Sequence, residues 1–310
     1  MADTELNELQ EEIALLLLAR VMPGSSLLNV ELLPGSFSNH THRVEARLPE
    51  GNLHRIVVRR YKIFGDYDRG EKAHREFRTF ELLKQNQVPA PQALLLDETG
   101  EILGASGIVT GFVEGSLLLE APTDVMDWAR KLARMLAKIH SIPCGKEEQS
   151  FLLKGNAEAT WFLKYASPPK YMQDYPGGAD LWQMLRELYQ NIRAVPPSLL
   201  HIDYWSGNIL WQKNEISAVL DWEEAAYGDP AIDVAYARMN MFLMNLTEAA
   251  DEFLRLYASD TGRKIENLGF WELAASVRPM IDPIHWKVDA TTGMNILLQF
   301  IESAKQRAMR

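Results

Sequence analysis

Two oxygen-bearing side chains, Asn208 and Asp221, are predicted to meet at the open end of a β-hairpin. The segment from Asn208 to Asp221 has one apolar run on each side of its centre, and the two runs predict two short strands. Asn214 and Glu215 fit the turn between them, because Asn tolerates the left-handed conformation that such a turn needs. Pairing the strands about this turn places Asn208 opposite Asp221. One carboxamide beside one carboxylate suits Mg²⁺, which prefers hard oxygens and binds one or two protein groups together with phosphates.

A third acidic residue, Asp203, lies five positions before Asn208 in the loop that enters the hairpin. A carboxylate there can face an ion-bound phosphate and accept a proton from an incoming hydroxyl. His201 points the same way as Asp203 in an extended segment and can brace the loop. The pattern is H-x-D-x-x-x-x-N, followed thirteen positions later by Asp221. This spacing is that of the catalytic loop and the metal-binding Asp of kinases.

The same segment resembles a particular branch of the kinase-like proteins. The sequence is similar to the aminoglycoside phosphotransferase and choline kinase-like family, whose motifs are H-G-D-x-x-x-x-N-I-L, a hydrophobic strand ending in I-D-W, and G-D-P-x-x-D. This chain carries, in the same order and spacing, His201-Ile-Asp203, Asn208-Ile-Leu210, Val219-Leu-Asp221-Trp222-Glu223 and Gly228-Asp-Pro-Ala-Ile-Asp233. The resemblance covers roughly residues 32–237, and the remaining C-terminal part matches only in being helical.

The resemblance implies a role for each matched residue. Asp203 is expected to be the catalytic base or the residue that orients the hydroxyl, while Asn208 and Asp221 hold Mg²⁺. Asp229 and Asp233 are expected to be structural and to tie the helix that starts near Pro230 to the catalytic loop. Each of the first three residues alone could be an ordinary turn or capping residue, and it is their joint spacing that favours catalysis.

The nucleotide side requires a cation on the phosphates and a carboxylate that positions it. The family's V-L-R pattern aligns with Val57-Val58-Arg59, so Arg59 is expected to be the cation, with Arg60 on the opposite face of the strand. Glu76 borders the apolar face of the following helix and is the expected partner of Arg59. The alternative for Glu76 is an exposed pair with Lys72.

The remaining nucleotide contacts are predicted in two loops. Residues 34–39 resemble a phosphate-covering loop, with Ser38 and Asn39 as nucleotide-binding residues. Residues 108–113 resemble the hinge, where the backbone of Gly111 and Val113 would bind the base. Thr110 is a small residue at the gate of the base pocket, so either ATP or GTP could be the donor, and ATP is favoured.

The element pattern changes once along the chain. Five strands are predicted in the first 115 residues, at Leu28–Leu33, His42–Leu48, Arg55–Tyr61, Leu94–Leu96 and Ile108–Val113. Helices dominate the rest, at Trp128–His140, Leu181–Arg193, Ile232–Leu246, Glu248–Ser259 and Asn295–Met309. The resemblance implies an α+β, two-lobed, protein-kinase-like fold. Its antiparallel-sheet N-lobe (residues 1–115, with an N-terminal helix) binds nucleotide, and its mainly helical C-lobe (116–310) carries the catalytic loop and acceptor site.

Composition restricts the partners. The 310-residue chain has a formal net charge of −10, which disfavours nucleic acid or an anionic membrane as its main partner. Its one cysteine rules out a disulfide within the chain and favours a reducing compartment. The acidic N-terminus does not resemble a signal peptide, and no apolar run is long enough to cross a bilayer. We therefore expect a cytoplasmic protein, monomeric or homodimeric.

These features predict an ATP- and Mg²⁺-dependent kinase that phosphorylates a hydroxyl of a small molecule. An aminoglycoside or macrolide antibiotic is the first candidate acceptor, which would imply a role in resistance. One alternative is a metabolic kinase of choline, an amino alcohol or a hydroxyacyl compound, and another is a nucleotide-binding regulatory pseudokinase. Trp205 and Trp222 flank the motif residues and are expected near the acceptor, and carboxylates such as Glu223 could bind a cationic one.

Overall fold

The computed structural model describes residues 8–33, 39–62, 71–284, 286–288 and 292–309. The chain divides into two units. The first comprises Met1–Gly115 and Ser217–Glu224, and the second comprises Ser116–Ile216 and Ala225–Arg310. Among the described residues, no helix combines the length and the apolar character needed to cross a bilayer.

A five-stranded antiparallel sheet is the main feature of the first unit, with strand order β1-β2-β3-β5-β4. The elements are α1 (Glu11–Val21), β1 (Ser26–Leu32), β2 (Asn39–Arg47), β3 (Leu53–Tyr61), α2 (Glu71–Gln85), β4 (Ala93–Asp97) and β5 (Gly107–Gly111). The β-branched run in β3 suits the centre of a sheet. The predicted antiparallel sheet is confirmed.

The core of the first unit lies between α1 and one face of the sheet. Leu17 and Leu18 of α1 pack in one cluster with Val44 of β2 and Val58 of β3, all fully or almost fully buried. Alternation along each strand presents these valines on the same face. The predicted N-terminal helix therefore packs on the body. Leu16 of this helix, although apolar, is 45% exposed.

The second unit is mainly helical. Its elements in chain order are β6 (Ser116–Leu117), α3 (Val125–His140), α4 (Lys146–Phe151), β7 (Leu153–Lys154), α5 (Gly155–Ala159), a 3₁₀ turn (Trp161–Lys164), α6 (Lys170–Gln173), α7 (Gly178–Tyr189), β8 (Ser198–Leu200), a 3₁₀ turn (Ser206–Asn208), β9 (Ile209–Gln212), β10 (Glu215–Val219, ending in the first unit), β11 (Ala226–Gly228), α8 (Ala231–Leu243), α9 (Thr247–Thr261), α10 (Leu268–Ala275), α11 (Arg278–Ile281) and α12 (Thr292–Ala308). Helix α8 packs against α9, α10 and α12. Every residue from Ala231 to Met241 is buried, as expected of a helix that is apolar nearly all round.

Short strands support the motif segment within the second unit. Strand β11 pairs antiparallel with β8 and parallel with β7. Strand β6 pairs antiparallel with β9, with Leu117 opposite Leu210. These pairings fix the strand before the catalytic loop and the strand after it, so the loop is anchored at both ends.

Candidate active site

The predicted catalytic loop runs from β8 to β9 and contains a backbone kink. Ile202 has φ +71°, a left-handed conformation that is rare for a β-branched residue. The backbone N–H groups of His201 and Ile202 each donate to the Asp233 carboxylate at 2.7 Å. One buried carboxylate thus stabilises the kink, and the predicted extended conformation of this segment is wrong. Strain of this kind is typical of functional sites.

Asp233 performs the structural role that was predicted for it, whereas Asp229 has different partners. The Asp233 Oδ2 atom also lies 3.0 Å from Nε2 of buried His140. Asp229 accepts hydrogen bonds from Asn267 and from the Trp271 indole N–H, at 2.6 and 2.7 Å. Asp229 therefore ties the start of α8 to α10 instead of to the catalytic loop.

Asp203 and Asn208 are in direct contact. The carboxamide nitrogen of Asn208 donates to the backbone carbonyl of Asp203 at 2.9 Å and to its Oδ2 atom at 2.8 Å. The Asp203 N–H in turn donates to Nδ1 of His201 at 3.3 Å, so His201 braces the loop as expected. Because the Asn208 nitrogen is directed at Asp203, its Oδ1 atom is the one that can ligate a cation.

A cation that sequence reasoning did not identify lies beside Asp203. The Arg278 guanidinium is 3.4 Å from Asp203 Oδ1 and 3.3 Å from the carbonyl oxygen of Ile202. It also lies over the Tyr236 ring, 4.6 Å from the centroid. Arg278 follows Asp203 by 75 positions and belongs to no motif, so nothing in the sequence connected the two residues.

Arg59 binds three carboxylates in the first unit. Its Nη1 atom lies 3.1 Å from Glu76 Oε1, and its Nη2 atom lies 2.6 Å from Asp221 and 3.1 Å from Glu223. The planar fork of Arg suits this multiple pairing better than the ammonium of Lys does. The structure therefore brings together the predicted cation, its predicted carboxylate partner and the predicted metal-binding Asp.

Glu76 is fully buried, and its carboxylate accepts hydrogen bonds from several donors. Besides Arg59, the Tyr61 hydroxyl and the backbone N–H of Trp222 donate to it. Burial raises the pKa of Glu76 to about 7, with Arg59 opposing the shift and the Asp221 carboxylate adding to it. The alternative of an exposed pair between Lys72 and Glu76 is wrong, since the Glu76 side chain is 0% exposed.

Glu223 joins strand, helix and loop residues of the first unit. Its carboxylate accepts from Asn39 at 2.6 Å and lies 3.3 Å from Nζ of Lys72, and Arg75 donates to its carbonyl oxygen at 2.7 Å. The carboxylate is thus bound next to Arg59 instead of being available to a cationic acceptor, and that prediction is wrong. Asn39 also lies in this cluster, where its role as a nucleotide ligand stays a prediction.

The hinge residues lie at the end of β5. The Gly111 N–H donates to the carbonyl oxygen of Gln92 at 2.8 Å, so the group that Gly111 can offer a base is its carbonyl. Val113 follows two residues later, beyond the strand, and Thr110 is buried within it. Ser38 lies outside the described residues.

The two predicted Mg²⁺ ligands present hard oxygen atoms, as that ion requires. Asp221 has φ +62° two residues after the end of β10, and its side chain remains one-third exposed beside Arg59. No group of three or more His, Cys, Asp or Glu side chains in the described part of the chain could hold a metal by itself.

The predicted hairpin register, which places Asn208 opposite Asp221, is wrong. The turn consists of Lys213 and Asn214, with φ +52° and +63°, and Glu215 begins β10. The predicted turn at Asn214–Glu215 is therefore wrong by one residue, and the register that placed the two ligands opposite each other changes. Asn208 belongs to the second unit and Asp221 to the first, so their joint binding of one ion stays a prediction.

Two proteins of known sequence match part of this chain. Mouse acyl-CoA dehydrogenase family member 10 is 26% identical over 227 residues, which cover 64% of this chain and 21% of that protein. The 4-hydroxytryptamine kinase of Psilocybe cyanescens is 36% identical over 67 residues, 20% of this chain and 19% of that protein. The matched regions span about a fifth of the length of each relative.

Solved structures match nearly the whole chain. The choline kinase LicA of Streptococcus pneumoniae superposes with a TM-score of 0.61 at 18% identity, covering 96% of this chain and 98% of that one. Macrolide 2'-phosphotransferase type I gives 0.61 at 16% identity, covering 96% and 97%. The streptomycin–ATP–APH(2")-IIa ternary complex gives 0.55 at 17% identity, covering 88% and 91%. At these identities the match shows the protein-kinase-like fold.

The sequence model of the phosphotransferase enzyme family matches residues 29–268, well over half of the chain. This range includes the catalytic loop, the Arg59 cluster and both aspartates of the G-D-P-x-x-D motif. The chain belongs to the phosphotransferase enzyme family.

Proposed function

We propose that this protein transfers the γ-phosphate of ATP to a hydroxyl of a small molecule in a Mg²⁺-dependent reaction. The observation that carries the proposal is the binding of Arg59 to both Glu76 and Asp221. In kinases, the pair formed by the β3 cation and the helix Glu, and the metal-binding Asp, must both be in place for transfer. Three residues assigned to those roles from sequence lie in one cluster.

The donor side follows from this cluster. Arg59, held by Glu76, would bind the α- and β-phosphates, and the carbonyl of Gly111 with the backbone of Val113 would bind the base. Asp221 and Asn208 would hold Mg²⁺, which when bound neutralises charge on the phosphate oxygens. ATP is the proposed nucleotide, supported by the ATP complex among the solved relatives of this fold.

The acceptor side follows from the catalytic loop. Asp203 would accept or orient the hydroxyl proton of the acceptor, with its carboxylate held by Asn208 and Arg278. The complete set of Asp203, Asn208 and Asp221 supports an active kinase over a regulatory pseudokinase. Named relatives of this fold act on choline and on macrolides, so both a metabolic and a resistance role remain within the proposal.

The test is ATP consumption with Mg²⁺ across aminoglycosides, macrolides, choline-like alcohols and aromatic alcohols, compared with Asp203→Asn. Asn at position 203 can still accept from Asn208, so the loop should keep its shape. We expect the variant to bind ATP like the wild type and to lose roughly 100- to 10,000-fold in turnover. Exposed Asp260→Asn is the matched control. Wild-type turnover in Asp203→Asn would remove Asp203 from its role, and ATP binding without turnover on any acceptor would favour the pseudokinase.

A further inference from the structure

A cavity of about 260 Å³ lies in the second unit, next to the catalytic loop. Trp205, two residues after Asp203, lines this cavity. The full set of lining residues is Leu119, Glu120, Ala121, Trp205, Ser206, Asn240, Leu243, Met244, Trp286 and Lys287. Most of these side chains are apolar or aromatic, with a few polar groups, as is typical of small-molecule sites.

A continuous series of contacts joins Asp203 to the aromatic wall of this cavity. Arg278 lies 3.4 Å from Asp203 Oδ1 and stacks over the Tyr236 ring. Tyr236 meets Trp286 edge to face at 5.7 Å between ring centroids, and Trp286 meets Trp205 at 5.6 Å. The indole pair is therefore linked through Tyr236 to Arg278, the residue that contacts the proposed catalytic carboxylate.

The position of Trp205 depends on the glycine that follows it by two residues. A Cβ atom on Gly207 would lie 2.3 Å from Cζ2 of the Trp205 indole, closer than any real contact allows. The ring is therefore packed directly on the loop backbone. This close approach leaves the indole as one face of the cavity.

The charge of the cavity disfavours a polycationic acceptor. Its two charged side chains among the lining residues, Glu120 and Lys287, have opposite signs and are both exposed. A molecule with several ammonium groups would require several carboxylates, and burying an unpaired charge is costly. Leu119 at the rim is 54% exposed, which leaves apolar surface for a ligand to cover.

The volume of the cavity has room for a small aromatic acceptor. An apolar cavity of about 150 Å³ is enough to bind benzene. A cavity of about 260 Å³ therefore accommodates one or two fused rings with a short side chain.

From this geometry we infer that the cavity is the acceptor site and that its substrate is a small aromatic alcohol with no more than one positive charge. The inference rests on the proposed kinase function and adds the substrate class. The aromatic body packs against Trp205 and Trp286, and its hydroxyl attacks the γ-phosphorus of ATP. The bond from that phosphorus to the bridging oxygen breaks, ADP leaves, and the hydroxyl proton passes to Asp203.

The experiment compares tryptophol, tyramine, choline and kanamycin as acceptors for the full-length protein with ATP and Mg²⁺. We expect kcat/KM for tryptophol or tyramine to exceed that for choline and kanamycin by at least tenfold. Trp286→Ala should raise KM for the aromatic acceptor at least tenfold. Trp161→Ala, which removes a half-buried indole outside the cavity, should not change it. Ala121→Trp, which fills the rim, provides a second test if Trp286→Ala does not fold.

Two outcomes separate this inference from the proposed function. Preference for kanamycin or choline would overturn the inference about the acceptor and leave the kinase function intact. A second outcome is that tryptophol binds to the wild type in calorimetry and not to Ala121→Trp, while no acceptor is phosphorylated. That result would support the cavity as the binding site for the aromatic alcohol and count against the kinase function. Absence of both binding and turnover with tryptophol and tyramine would overturn the inference.

Discussion

The Arg59 guanidinium lies 2.6 Å from the Asp221 carboxylate, although the two residues are 162 positions apart in the chain. Sequence reasoning assigned Arg59 to the nucleotide and Asp221 to the metal, as separate parts of the site. Their contact links the two proposed functions through one cation within the first unit. An ion bound at Asp221 would therefore change the electrostatic environment of the residue that is proposed to bind the phosphates.

The first prediction concerns the metal. Asp221→Asn replaces a charged ligand by a neutral one of the same shape, and hard divalent cations bind carboxylates more tightly than amides. We expect the Mg²⁺ dependence of ATP binding to be lost, with ATP affinity in the presence of Mg²⁺ falling at least tenfold. Calorimetric titration of ATP with and without Mg²⁺ measures this. An unchanged Mg²⁺ dependence would show that Asp221 is not a ligand.

The second prediction concerns the choice of Arg over Lys at position 59. A Lys ammonium cannot match the fork geometry that binds Glu76, Asp221 and Glu223 together. Each lost charge-assisted hydrogen bond is worth about 1.5–3 kcal/mol. We expect Arg59→Lys to raise KM for ATP at least tenfold while KM for the acceptor stays the same. Steady-state kinetics with each substrate varied in turn measures the KM for ATP and the KM for the acceptor separately.

Arg55 offers a matched control on the same strand. Its guanidinium pairs with Glu45 and Glu114 at the surface of the first unit, and surface pairs contribute little. Arg55→Lys should therefore leave KM for ATP unchanged. Equal effects of the two substitutions would mean that the Arg59 cluster has no specific role in nucleotide binding.

Local patterns were enough to predict most of the fold and the motif residues. The five strands of the first unit and the long helices of the second have alternating or helical spacing of apolar residues, which is readable without tertiary information. Helix α10 was missed because all of its residues, from Leu268 to Ala275, are buried and leave no amphipathic period. Arg59 was found because the family's V-L-R pattern aligns with residues 57–59, and Glu76 because it borders the apolar face of the helix that follows.

Other features depend on contacts that a sequence does not display. Glu223 meets Lys72 across 151 positions, and Arg278 meets Asp203 across 75. The left-handed Ile202 contradicts the preference of a β-branched residue and exists because a distant carboxylate, Asp233, binds its N–H. The hairpin turn was displaced because Lys213 adopts a conformation for which its residue type gives no signal.

The third prediction concerns pH and Glu76. The ordinary pKa of a Glu carboxyl is near 4.5, and burial raises that of Glu76 to about 7 in the folded protein. The folded state therefore binds a proton more tightly than the unfolded state. The corresponding contribution to the free energy of unfolding is complete below about pH 4.5 and is lost as the pH rises through about 7. We expect the free energy of unfolding to depend less steeply on pH in Glu76→Gln than in the wild type.

Urea unfolding of both proteins between pH 5 and pH 8 measures that difference. The same proton has a functional consequence, because protonation of Glu76 removes its charge from the pair with Arg59. KM for ATP should therefore rise as the pH falls below 7 in the wild type and should depend less on pH in Glu76→Gln. Identical unfolding slopes in the two proteins would show that Glu76 does not titrate in this range.

The fourth prediction separates stability from catalysis at the two aspartates of the G-D-P-x-x-D motif. Both are buried, yet Asp233 binds the catalytic-loop N–H groups whereas Asp229 binds Asn267 and Trp271. Asn in place of either residue leaves one buried acceptor too few, which costs about 1–3 kcal/mol. We expect both Asp233→Asn and Asp229→Asn to lower the free energy of unfolding by this amount.

Only Asp233→Asn should also impair catalysis, since it alone releases the kink at Ile202 that precedes Asp203. We expect kcat per folded molecule to fall at least tenfold in Asp233→Asn and less than threefold in Asp229→Asn. A tenfold loss corresponds to about 1.4 kcal/mol of transition-state stabilisation that depends on the position of Asp203. Urea unfolding gives the folded fraction, and steady-state kinetics at that fraction gives kcat. Equal losses of kcat in the two variants would show that Asp233 acts through global stability and that the conformation of Ile202 is not what positions Asp203.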